Sequence, residues 1–410
     1  MKTLSFNTAR KKLSAFSTMV KPVGSACNFH CAYCYYLDKA DIYGGKEPVM
    51  NEELLDLYIR QYFEAVDTPT ITFCWHGGEP LIAGIDFFRK AIALQERYRG
   101  ERQVENTLQT NGMLVNDEWC DFFRENRFLV GLSIDGPQDI HDAFRSTRGG
   151  QPTFEHAVRA ARLMINHGVG FNILCTVNST SVGRGKEVYN FLKDATPFLQ
   201  FLPVHEYISD NGKIVPPGTD NSHLTPFSVT AEGFGEFMCD VYDEWVRHDV
   251  GSVFVQLFDN TLAQWCGQQS GLCALNETCG DSIVVEHNGD VYCCDHFVYP
   301  QYRLGNINET SLAKMRKAYK MFDFGAMKYS GLPRMCQHCK WLFLCHGECP
   351  KHRFATTSKG DSGLNSLCKG YKMFFEHTAD DMKYMRAMLE KGLAPALIMK
   401  EKQGICGNKI

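Results

Sequence analysis

The sequence predicts an α/β protein whose first half is either a partial (β/α)6 barrel of the TIM type or an open doubly wound sheet. Three observations predict this organisation. Apolar, strand-like runs alternate with helix-patterned segments up to about residue 205. Beyond that point the composition changes, because nine of the 18 cysteines fall within residues 273–368. A stretch rich in Pro, Gly and Asn at 209–228 separates the two regions.

Six strand-like runs give the first region its order. Strands separated by helices predict parallel βα units with right-handed crossovers, and six strands are too few for an eight-stranded barrel. Several of the helical segments open with Asn or Thr followed by acidic residues, which is typical of a helix N-terminus. The runs are STMVKPV (17–23), TITFCWHG (70–77), ENTLQTNG (105–112), FLVGLSIDG (128–136), VGFNILCTV (169–177) and PFLQFLPV (197–204).

The chain is divided accordingly into three predicted segments. They are a partial barrel at 1–208, a linker at 209–229 and a cysteine-rich domain at 230–410. Within the last segment, the apolar spacing predicts a helix at about 230–248. The run SIVVEHNGDVYCC predicts a hairpin that turns at Asn288-Gly289, and a final helix is expected from about Lys369 to Glu390.

Charge and composition exclude several function classes. The net charge is −4, the sequence pI is about 6.4 and no basic block dominates, so nucleic acid and anionic membranes are poor partners. The N-terminus has no continuous apolar segment of a signal peptide, and no apolar run is long enough to span a membrane. We therefore expect a cytoplasmic protein.

Cysteine usage is the strongest compositional signal. In a reducing compartment, clustered cysteines are metal ligands more often than disulfides. The isolated cysteines are expected to be buried as small apolar side chains. These are Cys74, Cys120, Cys175, Cys239, Cys266 and Cys406.

The first cysteine cluster is CNFHCAYCYY, in which Cys27, Cys31 and Cys34 form the spacing C-x3-C-x2-C. A structural zinc ion would need a fourth ligand, and His30 is the one candidate within the motif. Three thiolates suit a [4Fe–4S] cluster with one open iron better. From the residues alone, zinc, dithiol redox chemistry and plain burial remain alternatives.

The cluster follows the first strand, and GGEP (77–80) follows the second. Ligands on such loops lie at the carboxyl ends of the strands, where active sites collect. Together the two motifs resemble the radical S-adenosylmethionine (SAM) enzymes over roughly residues 17–205, and Tyr33 also matches that pattern. The resemblance selects the partial barrel and implies SAM bound at the open iron. The SAM-contacting positions that it implies are Tyr36, Gly78, Ser133, Arg145 and His205.

A second field of cysteines lies in the C-terminal region. Its spacings are C-x2-C-x5-C-x3-C over 336–349 and C-x9-G-x4-C over 279–294. Alone, these spacings would also fit a pair of zinc ribbons. Beside a radical SAM core they resemble the SPASM extension, which implies two auxiliary [4Fe–4S] clusters and three clusters in all. The two implied ligand sets are Cys273, Cys279, Cys294 and Cys349, and Cys336, Cys339, Cys345 and Cys368.

The C-terminal region holds one more cysteine and one more motif outside these ligand sets. Cys293 is beside Cys294 but outside the spacing, so it is not assigned as a ligand. The run HGECP (346–350) shares residue types with the zinc deaminase signature, but its order and spacing are wrong. We therefore reject a deaminase.

The two fields together resemble the anaerobic sulfatase-maturating enzymes over nearly the whole chain, including WHGGEP, QTNG, SIDGP, NGDVYCCDHF and CPKHRF. The resemblance implies oxidation of a Cys or Ser in a sulfatase Cys/Ser-x-Pro-x-Arg motif to Cα-formylglycine. It implies Asp295 as the general base, since this residue follows Cys294 directly; a turn aspartate is the alternative. It also implies a sulfatase polypeptide as substrate and a reducing electron donor such as flavodoxin or ferredoxin.

Two other functions are weighed against this one. Another SPASM-type peptide-modifying enzyme would form thioether or carbon–carbon crosslinks. Many of those enzymes carry an N-terminal peptide-binding module, and the 26 residues before Cys27 are too few for one. An iron–sulfur or zinc scaffold without activity has no need of an open three-cysteine site joined to GGEP.

Overall fold

The computed structural model describes residues 16–44, 49–280 and 282–403. The interpretation of the extreme N-terminus and the expected burial of Cys406 concern residues outside these ranges. Within the described ranges, no helix is both long enough and apolar enough to cross a membrane.

The strands of the described ranges are β1 (Ser17–Lys21), β2 (Thr70–Trp75), β3 (Gln103–Thr110), β4 (Leu129–Ser133), β5 (Phe171–Val177), β6 (Phe198–Pro203), β7 (Tyr207–Ile208), β8 (His223–Leu224), β9 (Phe254–Val255), β10 (Ser282–Glu286), β11 (Asp290–Tyr292) and β12 (Arg303–Asn306). Ten of these strands form one sheet in the order β12-β11-β10-β1-β2-β3-β4-β5-β6-β9. The strands β1 to β6 are adjacent in chain order, and every neighbouring pair among them is parallel. A doubly wound sheet would reverse its strand order at a switch point, so this unbroken order is that of a partial barrel, as predicted.

Helices connect the strands and cover the outer face of the barrel. Helices form between the strands, as the alternation in the sequence predicted. The α-helices of this half are α1 (Glu52–Ala65), α2 (Ile85–Tyr98), α3 (Asp117–Glu125), α4 (Gln138–Phe144), α5 (Phe154–His167) and α6 (Gly185–Lys193). Those of the second half are α7 (Ala231–His248), α8 (Gln256–Trp265), α9 (Leu312–Arg316), α10 (Tyr319–Ser330), α11 (Arg334–Gln337), α12 (Leu342–Cys345), α13 (Cys368–Glu390) and α14 (Ile398–Lys402).

Local sequence explains where these helices begin. The side chain of Asn51 accepts a hydrogen bond from the backbone N–H of Leu54, and that of Asn116 accepts one from Trp119. Acidic residues follow both caps, where the helix dipole favours negative charge. The buried face of α1 includes Tyr58, whose hydroxyl lies 2.6 Å from the Thr18 hydroxyl on β1.

The cysteine-rich half extends the barrel sheet on both sides. Strand β10 pairs in parallel with β1, which places Glu286 opposite Lys21. The predicted hairpin forms from β10 and β11, and β9 pairs in parallel with β6 at the other edge. The stretch 209–228 contributes only β8, which pairs antiparallel with β7. The predicted domain boundaries remain a prediction, and the sheet itself continues across them.

The helix α13, which the sequence predicted as the last one but which α14 follows, packs along α7 at close range. A Cβ atom on Gly370 would lie 2.1 Å from the Ala231 carbonyl oxygen, so only glycine fits there. The rings of Phe234 and Tyr371 lie 5.3 Å apart in the same contact. Because Cys368 is the first residue of α13, this packing fixes where its thiol lies.

Candidate functional site

The loop that carries the first three cysteines follows β1 and is held by backbone hydrogen bonds on both sides. The His30 N–H donates to the Ser146 carbonyl at 2.7 Å, and the Gly78 N–H donates to the Gly24 carbonyl at 2.8 Å. These bonds tie the loop to the segment after α4 and to the GGEP turn after β2. The cysteines therefore lie where the sequence placed them, at the carboxyl ends of the strands.

The three thiols share apolar surroundings. Cys31 is buried, while Cys27 and Cys34 are half-buried against Phe29 and Tyr33. Burial is the main cause that raises the pKa of Cys27 to about 11 and that of Cys31 to about 12. The charge of Cys34 contributes to the rise in both cases. Thiols this close in a dry environment need a cation to become thiolates, which fits an iron–sulfur cluster.

Gly78 and Glu79 of the GGEP turn lock the cysteine loop in place. A Cβ atom on Gly78 would lie 2.1 Å from the Ala26 carbonyl oxygen, so the turn approaches the loop backbone directly. The buried Glu79 carboxylate accepts hydrogen bonds from the Thr110 hydroxyl and from the Asn111 N–H, at 3.0 and 2.8 Å. Burial raises the pKa of Glu79 to about 7 despite these donors.

Asn111 extends this connection to the cysteine loop itself. Its amide donates to the Asn28 side chain at 2.7 Å and lies 3.7 Å from the Cys27 sulfur. Sequence reasoning did not assign a role to Glu79 or Asn111. The signal was available in GGEP and QTNG, because Glu79 lies in the turn after β2 and Asn111 directly follows β3.

Arg145 lies beside the first cysteine group and forms a buried ion pair with Asp135. Its Nε and Nη2 atoms donate to the two Asp135 oxygens at 2.8 and 2.9 Å, and the Tyr33 hydroxyl donates to Oδ2 at 2.5 Å. Burial alone would raise the pKa of Asp135, but the Arg145 guanidinium outweighs it and holds that pKa below its usual value. The positive charge of Arg145 also lowers the pKa of Cys31.

The other positions implied for SAM contact are dispersed around this centre. Ser133 accepts a hydrogen bond from the Gln109 amide at 2.9 Å, and the Tyr36 hydroxyl donates to Glu286. His205 is buried with its Nδ1 atom 2.9 Å from the Val229 carbonyl, while Nε2 has no partner among the described residues. Burial lowers the pKa of His205 to about 4, so its ring is neutral.

The second cysteine field separates into two groups of four. Four thiols line one apolar pocket beside the rings of Trp341, Tyr371 and Phe375, and these are Cys336, Cys339, Cys345 and Cys368. A dry, thiol-lined pocket of this kind matches a cluster whose four irons each bind one cysteine. In the described part of the chain, no three His, Cys, Asp or Glu side chains converge on a single-ion site.

The second group forms around Cys294. Burial raises the pKa of Cys294, and so do the negative charges of Asp295, Cys279 and Cys273. Burial raises the pKa of Cys349 in the same way, with contributions from Cys294 and Cys279. The structure thus brings Cys273, Cys279 and Cys349 near Cys294.

The remaining cysteines lie elsewhere. Cys293 is fully buried in the main hydrophobic core. Of the isolated cysteines, Cys120 and Cys175 are buried as expected. The expected burial is only partial for the other described ones, because Cys74, Cys239 and Cys266 are half-buried.

Asp295 stands between the two cysteine regions. Lys21 donates to its Oδ1 atom and the Tyr35 hydroxyl donates to Oδ2. Lys21 is fully buried at the end of β1, and its ammonium lies 3.6 Å from the centre of the Tyr36 ring.

This pairing sets the protonation of Asp295. Burial alone would raise the pKa of Asp295, but the Lys21 ammonium, which also donates to Oδ1, outweighs it and holds that pKa well below the usual range. Asp295 is therefore ionised at neutral pH. Sequence reasoning missed Lys21, although a lysine inside the apolar run STMVKPV is a usable signal.

Two protein-family models match the chain. The model of the radical SAM superfamily matches residues 22–189. The model of the iron–sulfur cluster-binding domain named SPASM matches residues 273–340.

Curated relatives match over most of the chain. A serine-type anaerobic sulfatase-maturating enzyme from Bacteroides thetaiotaomicron is 45% identical over 388 residues, which cover 93% of this chain and 94% of the relative. A cysteine-type anaerobic sulfatase-maturating enzyme from Clostridium perfringens is 34% identical over 372 residues, covering 88% and 95%.

Solved structures agree in fold. Native anSMEcpe with bound AdoMet and the Cp18Cys peptide superimposes with a TM-score of 0.79 and 32% identity, covering 90% of this chain and 99% of that one. Streptococcus suis SuiB bound to its precursor peptide SuiA gives a TM-score of 0.57 at 14% identity, covering 88% and 78%. The second likeness concerns the fold alone.

Asp135→Asn should destabilise the protein, because it removes one partner of a buried ion pair and leaves Arg145 without its counter-charge. Breaking such a pair costs about 3 kcal/mol or more. We expect a lower midpoint of thermal unfolding, measured anaerobically by circular dichroism. Asp139→Asn is the matched control, since Asp139 pairs with Arg184 at an exposed position and should matter little. Equal midpoints for the two variants would contradict this account.

Proposed function

This chain belongs to the anaerobic sulfatase-maturating enzymes of the radical SAM superfamily, and we propose that it oxidises a Cys or Ser in a sulfatase Cys/Ser-x-Pro-x-Arg motif to Cα-formylglycine. One observation carries the proposal beyond family membership. An ionised carboxylate, Asp295, follows directly on one cysteine group and contacts Lys21 and Tyr35 beside the other. A proton acceptor thus lies between the cysteines proposed to hold the SAM-binding cluster and a cysteine proposed to hold an auxiliary cluster.

The residues present fit SAM and iron–sulfur clusters. We assign Cys27, Cys31 and Cys34 to the cluster that binds SAM. The two auxiliary clusters are assigned to the groups already described, and three [4Fe–4S] clusters would bring about twelve irons per chain. The auxiliary ligand sets are Cys273, Cys279, Cys294 and Cys349, and Cys336, Cys339, Cys345 and Cys368.

Two of the residues proposed to contact SAM have a side-chain nitrogen atom that can form a further hydrogen bond. Asp135 engages two of the three guanidinium nitrogens of Arg145, so Nη1 is the one left to meet the SAM carboxylate. His205 has a buried Nε2 atom without a partner among the described residues, which suits the adenosine. We retain Tyr36, Gly78 and Ser133 as further contacts.

The chemistry divides between the bound groups and the protein. When bound, SAM and its cluster supply an adenosyl radical that removes a hydrogen atom from the substrate Cβ, and the auxiliary clusters accept the electron that the oxidation releases. Asp295 accepts the proton of the serine hydroxyl or cysteine thiol. A carboxylate of low basicity suffices, because an O–H or S–H next to a carbon radical is far more acidic than in the parent side chain.

The protein's other residues support this step. Lys21 keeps Asp295 ionised and oriented through its contact with Oδ1. With a cysteine substrate the product is a thioaldehyde, which water hydrolyses to the aldehyde. A reducing protein such as flavodoxin or ferredoxin is the electron donor that we propose.

Mass spectrometry of a substrate peptide tests this function. Anaerobically reconstituted protein, with reductant, SAM and a Cys-x-Pro-x-Arg or Ser-x-Pro-x-Arg peptide, should yield formylglycine and 5′-deoxyadenosine. A crosslinked peptide would support the alternative, a peptide-modifying enzyme that forms thioether or carbon–carbon bonds. Release of no 5′-deoxyadenosine would contradict both.

Asp295→Asn should slow formylglycine formation about a hundredfold or more, because it removes the proton acceptor. SAM cleavage and iron content should remain near wild type. Asp290→Asn is the matched control, since Asp290 pairs with Arg303 on the neighbouring strand and should leave the rate unchanged. A normal rate of formylglycine formation in Asp295→Asn would show that the base is another group.

Adjacent cysteines test the ligand assignment. Cys294→Ala should lower the iron content below about twelve per chain, because one auxiliary cluster loses a ligand. Cys293→Ala should leave the iron content unchanged, since Cys293 packs in the hydrophobic core. Iron is measured colorimetrically after anaerobic reconstitution. The reverse result would reassign the ligand to Cys293.

A further inference from the structure

Tyr35 is the tyrosine of the first cysteine loop to which neither the sequence nor the reaction gives a role. Its ring is half-buried and lies between charged and aromatic neighbours. The Lys351 ammonium lies 4.4 Å from its centre, and the His296 ring lies 5.1 Å away in an edge-on arrangement. Its hydroxyl donates to Asp295 Oδ2. The ring is thus held at a position where it covers the proposed base.

Lys21 and Tyr35, which donate hydrogen bonds to Asp295, differ in how readily each side chain could move away from it. Lys21 is fully buried, and an ammonium left there without a counter-charge would be costly. Tyr35 is instead only half-buried, and its ring lines a small cavity. The cavity is also lined by Glu206, Ile214, Val215, Pro216, Pro217, His296, Tyr299, Lys351 and Phe354. The contact at Oδ1 is therefore fixed, and the contact at Oδ2 is exchangeable.

A substrate side chain must reach Asp295 for its proton to be taken. Since Lys21 holds Oδ1, the oxygen open to exchange is Oδ2, where Tyr35 now donates. A serine hydroxyl is the same kind of donor as a phenolic hydroxyl, so one O–H can replace the other without leaving the carboxylate unsatisfied.

We propose that Tyr35 is a positioning residue that occupies Asp295 Oδ2 in the peptide-free enzyme and gives way there to the hydroxyl or thiol of the substrate. The proposal rests on the function proposed above. It implies that the hydrogen bond between peptide and Asp295 replaces an existing one. The peptide side chain therefore gains little affinity from this bond in the wild-type enzyme.

A thermodynamic cycle of binding tests the exchange. The reconstituted holoenzyme is loaded with S-adenosylhomocysteine, which has no sulfonium group to cleave, so no turnover occurs. Dissociation constants are measured for a Ser-x-Pro-x-Arg peptide and for the same peptide with Ala in place of Ser. In wild type the two constants should be similar. In Tyr35→Phe the Ser peptide should bind about tenfold more tightly than the Ala peptide, because its hydroxyl now meets a vacant carboxylate oxygen.

Tyr43→Phe is the matched control. Tyr43 lies on the same loop, and its hydroxyl is 3.2 Å from that of Tyr292 rather than near Asp295. In Tyr43→Phe, the ratio of the dissociation constants of the Ser and Ala peptides should equal the ratio in wild type. Iron content near twelve per chain confirms that each variant is folded and loaded.

The outcomes separate the two proposals. The same ratio in wild type and in Tyr35→Phe would overturn the exchange, since Tyr35 would then be a structural neighbour. Wild-type enzyme that binds the peptides with the expected ratios but forms no formylglycine would overturn the function and leave the exchange standing. Failure of wild type to bind either peptide would overturn both.

Discussion

The buried ion pair between Lys21 and Asp295 is the interaction on which the rest of the site depends. Lys21 ends the first barrel strand, and Asp295 follows a cysteine of the C-terminal half, 274 residues later in the chain. A buried charge is tolerated only when it is paired, so the two halves must close on each other for either charge to be stable. The parallel pairing of β10 with β1 brings them into range.

A second buried pair repeats this arrangement at the other end of the site. Arg145 and Asp135 lie beside the first cysteine group, as Lys21 and Asp295 lie beside Cys294. The positive charge of Arg145 partly offsets the raised pKa of Cys31, and those of Arg145 and Lys21 partly offset the raised pKa of Cys34. The protein thereby offsets part of the cost of collecting thiolates in a dry interior. The carboxylate of each pair also orients its cation, so charge and geometry are set together.

The sequence predicted the six barrel strands and the hairpin, because these depend on local periodicity. The two ligand sets of four cysteines came from the resemblance to the SPASM extension and remain a prediction. The sequence did not predict contacts between distant segments. Asp135 was absent from the predicted site, although it holds Arg145 in place. Tyr35 had no role because its partner Asp295 is 260 residues away. The continuation of the barrel sheet into β9 and β10 was also missed, since strand pairing across a linker leaves no periodic signal.

A double variant, in which both members of the central pair are replaced, tests this account most directly through the stability of the holoenzyme. Thermal unfolding is compared anaerobically for wild type, Lys21→Met, Asp295→Asn and the double variant. Each single variant should be destabilised by about 3 kcal/mol or more, because it leaves one buried charge unpaired. The double variant should be more stable than the sum of the two losses predicts. Additive losses would show that the two side chains do not stabilise each other, and would contradict the account.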